Sequence, residues 1–294
     1  MATLREIRGR ISGVKSTQKI TKAMKMVAAA KMRRATERIM AARPYAKKLK
    51  ELLSHLSEQV DVTKYPQFEQ REVKAVAIVI VTSDRGLCGA FNSNIIKAAV
   101  NHINANYAEM HAEGKVKLIC VGKKAADFFG KRSYNVMAKH VGIFNQLDFS
   151  IAKNIVADLA RGFINGEFDR VEIVSNEFKN AVQQTLTIGQ FLPLVNVTSE
   201  EKKKHGTDYI YEPSSDEIVG TLVPKHLNFQ MWRVLLDSNA AEQGARMSAM
   251  ENATTNARDL IRILQLNYNK ARQAAITKEL LEIVGGAEAL KKAG

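Results

Sequence analysis

No apolar stretch in this 294-residue chain approaches the roughly 18–20 residues that a bilayer-spanning helix needs. The longest, Ala75–Val81, is only strand-length. The first ten residues lack the apolar core of a signal peptide, so the chain is expected to start and stay in the cytoplasm. Two cysteines, Cys88 and Cys120, give no disulfide framework and fit a reducing compartment. Phosphate-binding fingerprints are missing: neither G-x-G-x-x-G nor G-x-x-x-x-G-K-[ST] occurs. Six histidines (His55, His102, His111, His140, His205, His226) show no H-E-x-x-H spacing and no pairing with the cysteines, which argues against a metal site. Paired acids such as Asp216-Glu217 suit a helix start, where they complement the dipole, better than acid–base catalysis. The residues present no catalytic constellation and imply no cofactor.

Apolar residues make up 46% of the chain, which places it among globular sequences. The net charge of +14 is unevenly spread. Residues 1–51 hold 15 Lys/Arg against three acids (Glu6, Glu37, Glu51), while the remainder is nearly balanced. A segment so charged either seeks an anionic surface or is simply a solvated helix face. Tyr45 is the single Phe, Trp or Tyr among residues 1–60, so base-stacking platforms for a nucleic-acid binder are missing. A basic coiled-coil nucleic-acid binder nevertheless stays open as an alternative.

Hydrophobic periodicity divides the chain into helix, mixed α/β block and helix. Leu4, Ile7, Ile11 and Val14 recur at 3-4-3 spacing. A second series, Ala28, Met32, Ala35, Ile39, Ala42, Ala46, Leu49, Leu53 and Leu56, alternates four and three over four heptads, as in a coiled coil. Between the two, Thr17–Lys22 break the apolar phase, which predicts a local stutter. Pro44 leaves the heptad unshifted and predicts a kink without a chain break. At the other end, Lys225–Val284 contains no proline and one glycine, Gly244, and predicts a long helix. It carries an alanine ridge at i+4 (Ala241, Ala245, Ala249, Ala253, Ala257) that would let a partner helix approach closely. The two terminal helices are expected to pair antiparallel, with self-pairing in a dimer as the alternative.

Between them the pattern predicts strands at Val73–Val81, Val116–Val121, Asn135–Val141, Arg170–Val174 and Thr185–Phe191. Helices are predicted at Ser93–Met110, Lys123–Phe129 and Ile151–Phe163, and Ser199–Ser215 reads as a linker. Alternation of this kind predicts a small parallel or mixed doubly wound sheet. The turn Thr82–Asn92, after the first strand, is where such a sheet binds ligands, and it carries two glycines, Asp84 and Cys88. A tight structural turn is one reading; an enzyme using Cys88 is the other.

Three blocks resemble one family. Gln18–Met32 (QKITKAMKMVAAAKM), Ser83–Gly89 (SDRGLCG) and Ile276–Ala287 (ITKELLEIVGGA, preceded by NKARQA) are similar, in order, to the γ subunits of bacterial F-type ATP synthases. The resemblance covers essentially the whole chain. It implies a non-catalytic rotor: an antiparallel coiled coil of residues 1–60 and 214–294 around an inserted Rossmann-like α/β foot domain, 61–213. The implied partners are α and β subunits as an α3β3 ring, an ε subunit and a c ring, with one γ copy per complex and no nucleic acid. The implied location is peripheral, on the cytoplasmic face of the bacterial inner membrane. By the same resemblance, Met24, Lys25, Arg246, Arg272 and Gln273 would contact β subunits, and Tyr209, Tyr211 and Glu212 would contact the c ring and ε. The nucleotide sites would lie on β, in line with the missing phosphate loop. No cysteine follows Cys120, so the disulfide-regulated insert of chloroplast γ subunits is absent.

Overall fold

The computed structural model describes residues 3–59, 64–180, 184–194, 212 and 214–293. Helix α1 spans Leu4–Gln59 and α6 spans Ser215–Ala293. Between them come β1 (Val76–Val81), α2 (Phe91–Asn106), α3 (Ala108–Ala112), β2 (Val116–Val121), α4 (Lys123–Phe129), β3 (Asn135–His140), α5 (Phe149–Ile164), β4 (Arg170–Phe178) and β5 (Gln184–Leu192). Contacts group the chain into two compact units, 1–27 with 247–294, and 28–246.

The larger unit is built on a five-stranded sheet in the order β3-β2-β1-β4-β5. The first four strands run parallel and β5 is antiparallel to β4, so the sheet is mixed. β1 is buried along its whole length, as its unbroken apolar run requires of a central strand covered on both faces. Its alternate residues sort to opposite sides. Val76, Ile78 and Ile80 pack with Phe91, Ile95, Ala99 and Ile103 of α2. Ala77, Val79 and Val81 join a core with Ile155, Leu159 and Phe163 of α5, the α6 residues Leu227, Met231 and Leu235, and Ala35 and Ile39 of α1. The helices at the chain's two ends therefore cover the second face of the sheet.

Several boundaries differ from the sequence reading. β1 begins at Val76, not Val73. The expected helix 93–110 breaks at Tyr107, whose backbone leaves the helical region (φ −137°, ψ 26°). Its hydroxyl there donates to buried Glu172 at 2.8 Å. β4 runs on to Phe178 because β5 continues to pair with it. α6 starts at Ser215, where the expected linker ends, and stays helical across Pro224. α1 is likewise helical through Pro44, and Ala42 and Ala46 on either side keep their places in the seam.

The stutter expected at Thr17–Lys22 is absent. Burial recurs at Leu4, Ile7, Ile11, Val14, Gln18, Thr21, Lys25 and Ala28, a continuous 3-4 alternation. Polar side chains occupy seam positions there, which an apolar count cannot register. In the smaller unit, Thr21 and Thr254 bring their Oγ atoms to 2.8 Å, and Thr254 also donates to the Met250 carbonyl at 2.7 Å. Lys25 pairs with Glu251, and Arg8 donates to the Tyr268 hydroxyl at 2.9 Å. Partners descend in α6 as positions rise in α1, so the two helices are antiparallel.

The alanine ridge does not stay on one line of burial. Ala241 and Ala257 are buried, but Ala245, Ala249 and Ala253 are only half-buried. Each i+4 step overshoots a full turn by about 40°, so five such residues drift off one face. The inward positions of α6 in the smaller unit also follow a 3-4 series, buried at Met250, Thr254, Ala257 and Ile261 and half-buried at Met247, Leu264, Tyr268, Ala271 and Ala275.

Gly122 follows β2 at φ +93°, and a Cβ built there meets the Thr82 carbonyl oxygen at 2.2 Å. Gly122→Ala is expected to destabilise the isolated chain by about 3 kcal/mol or more. Gly13→Ala, in helix α1 with nothing within 4 Å, is expected to stabilise it by up to about 1 kcal/mol. Urea unfolding of both variants checks the contrast.

Candidate partner-contact surfaces

The Thr82–Asn92 turn is held from below by a buried ion pair. Arg246 and Glu242, one turn apart on α6, approach to 2.6 Å, and both are nearly inaccessible. Burial raises the Glu242 carboxyl above its ordinary range, against the pull of Arg246. The other arm of the guanidinium leaves the helix: Arg246 Nη2 donates to the carbonyls of Gly86 at 3.0 Å and Arg85 at 3.3 Å. The turn is fixed from its other side as well. Asp84 Oδ1 accepts from the Lys123 and Gly142 amides, and Asn92 Oδ1 accepts from the Ser83 amide. What this scaffold presents is Leu87, in the left-handed region at φ +62° and 66% exposed. A large apolar side chain is thus held outward on a strained backbone. Sequence reasoning passed over it, although its place between two glycines was a signal.

Cys88 is 1% exposed. Its sulfur accepts from Asn92 Nδ2 at 3.1 Å and lies 3.8 Å from Ser83 Oγ. Burial pushes the thiol up, away from the thiolate a nucleophile needs. The turn is thus a structural one. Among the described residues no three His, Cys, Asp or Glu side chains converge as metal ligands.

The other candidates fall in separate places. Met24 and Lys25 are half-buried neighbours on α1, and Lys25 is engaged with Glu251. Arg272 and Gln273 are both exposed on α6. Beyond Ala275, residues 276–287 of α6 are exposed throughout, including Ile276, Leu280, Leu281, Ile283 (69% exposed) and Val284. Soluble helices seldom leave so many large apolar residues uncovered, which makes this end a candidate contact surface. A further set, Ile20, Met26 and Val27, is exposed on α1. Glu212 is exposed, while Tyr209 and Tyr211 lie outside the described residues.

Removing one member of the buried pair should cost more than removing both. Arg246→Met leaves Glu242 buried without its partner and takes a donor from the Gly86 carbonyl, while the Arg85 carbonyl still accepts from Ser83 Oγ at 2.6 Å; a loss of about 3–5 kcal/mol is expected by urea unfolding. The double variant Arg246→Met/Glu242→Met should recover most of it. A double variant as unstable as the single one would contradict this account.

Comparison with known proteins places these surfaces in context. Residues 3–290 match a family model described as ATP synthase. The chain is 57% identical over 302 residues to an ATP synthase gamma chain of Chloroherpeton thalassium, covering 99% of each. It is 56% identical to that of Chlorobium phaeobacteroides, covering 99% of this chain and all of the relative. Among solved structures, a chain in the central stalk and c-ring of the Tetrahymena thermophila mitochondrial ATP synthase is similar, at 28% identity and TM-score 0.60. That match covers 80% of this chain and 99% of the other. A chain of the Euglena gracilis mitochondrial enzyme shares the fold at 23% identity and TM-score 0.69, covering 98% of this chain and 94% of its own length.

Proposed function

We propose, from the fact that this chain belongs to the ATP synthase γ chain family, how its surfaces serve as the central shaft of an F-type ATP synthase. The chain is a non-catalytic subunit. It couples rotation of a c ring to ATP synthesis or hydrolysis on the β subunits of an α3β3 ring, with ε beside it on the rotor. The observation that carries the residue-level reading is the long run of α6 beyond Ala275, exposed and rich in large apolar residues. A second helix would normally cover such a surface; here we assign it to the sleeve formed by the α3β3 ring. Arg272 and Gln273, exposed just before it, are assigned to polar contacts with β.

The basic α1 surface provides a different kind of contact. Attraction between exposed lysines and acidic loops is long-ranged and tolerant of angle, which suits a shaft that must turn within its bearing. Met24 and Lys25 belong to this surface. Lys25 is only partly committed to Glu251, since both side chains remain substantially exposed. Arg246 is assigned an indirect role: with its guanidinium bound to Glu242 and two turn carbonyls, it acts toward β by holding Leu87 and Arg85 in place. Tyr209, Tyr211 and Glu212 are assigned to the c ring and ε on the strength of the resemblance alone. Functionally we divide the chain as 1–60 and 214–294 for the shaft and 61–213 for the foot.

Among the described residues no helix is long and apolar enough to cross a membrane, and a peripheral component fits this. We place it on the cytoplasmic face of the inner membrane, in keeping with a bacterial F-type enzyme.

Charge reversal at exposed lysines and arginines between Lys15 and Arg34 is expected to lower ATP-driven proton pumping by roughly tenfold, the effect of about 1.4 kcal/mol. Equivalent reversals on α2 or α5 should leave it near wild type; fluorescence quenching in inverted vesicles reads both. Unaltered pumping in the α1 variant contradicts the assignment. Deleting residues 276–294 is expected to reduce recovery of the α3β3γ complex and to uncouple hydrolysis from pumping. Full assembly with full coupling would show that the apolar end of α6 bears little of the contact.

A further inference from the structure

Between α6 and the β4–β5 side of the sheet lies a cavity of about 240 Å³. Ile173, Phe191 and Val234 make its apolar lining, and Glu177, Arg233 and Asp237 its charged one. Asp237 is almost fully buried, whereas Arg233 is largely exposed. Arg233 Nε lies 3.4 Å from Asp237 Oδ2, and Arg233 Nη2 lies 3.1 Å from Glu177 Oε1. One guanidinium therefore serves two carboxylates, one on α6 and one on β4. Arg43 of α1 is the further charge that acts on Asp237. The β5 wall adds Thr187, Gly189 and Gln190, none of them charged. Gly189 leaves space, since a Cβ there meets nothing within 4 Å.

This arrangement accommodates Asp237 in two ways. Ionised, it needs water in the cavity and a share of Arg233, because a buried carboxylate without enough partners is costly. Neutral, it sits against the apolar lining at little cost. We propose that the cavity is a proton-binding latch: uptake of a proton by Asp237 leaves Arg233 to Glu177 alone and lets α6 close more tightly on β4 and β5. Burial, with help from the Glu177 charge, pushes Asp237 up to about 6, against the opposing pull of Arg233 and Arg43. An acid whose folded pKa lies above its unfolded value binds its proton more tightly when folded. Its contribution is therefore complete below about pH 4 and is lost as pH rises through about 6, with a ceiling of about 100-fold in the opening equilibrium. The latch lies where α6 packs on the sheet, within the unit 28–246, and does not rest on the proposed rotor function.

Amide hydrogen exchange on the full chain, corrected for the intrinsic pH dependence of exchange, tests it between about pH 5 and about pH 7.5. In the wild type, amides of β5 and of α6 around Val234 should gain protection at the lower pH, up to about 100-fold. Asp237→Asn, the isosteric stand-in for the protonated form, should be protected at both pH values. Glu177→Gln, which removes the like charge, should move the midpoint to lower pH. The latch is overturned if Asp237→Asn keeps the wild-type pH response, or if Glu177→Gln leaves the midpoint in place or raises it. Failure of Asp237→Asn to fold would also count against it, because the neutral side chain is the one the cavity should hold best.

Discussion

The 3-4 seam of α1 is the constraint from which most of the molecule follows. A helix of 56 residues has no reason to persist in water on propensity alone; it must bury one stripe along its length. In the smaller unit the stripe faces α6, through Thr21 on Thr254 and Arg8 on Tyr268. In the larger unit Ala35, Ile39, Leu53 and Leu56 join one core with α6 residues, α5 and the sheet. The same repeat thus serves two environments. It does so because an average of 3.5 residues per step keeps the stripe on one side, which the alanine ridge at i+4 does not.

Polar residues in that seam give it a definite register. An apolar seam tolerates slippage by a heptad at modest cost, whereas a hydroxyl pair such as Thr21–Thr254 is satisfied in one register only. Lys25–Glu251 reinforces the same alignment at a more exposed position, where an ion pair adds little energy but still discriminates. For a subunit that transmits torque, register matters as much as stability. A slipped pair would shift every outward contact of α6 along the shaft.

The foot shows how a fold associated with ligand binding can be given over to structure. In a doubly wound sheet the turn after the first strand is the usual binding crevice. Here Arg246 donates into it from α6, Asp84 ties it to the β2 and β3 ends, and Cys88 is buried beneath it. Asp84 and the turn carbonyls are engaged in holding the turn that presents Leu87.

The sequence by itself determined the helix–α/β–helix order, the seam from Ala28 to Leu56, the uneven charge and the family, because each is a local pattern or a contiguous motif. It could not show that Gln18, Thr21 and Lys25 continue the seam, since a polar residue gives no periodic signal until its partner is known. Nor could it show that Arg246 supports a turn some 160 positions away, or that Asp237 and Glu177 share one arginine. Tertiary structure decided those pairings, and with them which charges are buried. Burial depends on what folds against a residue, and for these groups that comes from distant parts of the chain.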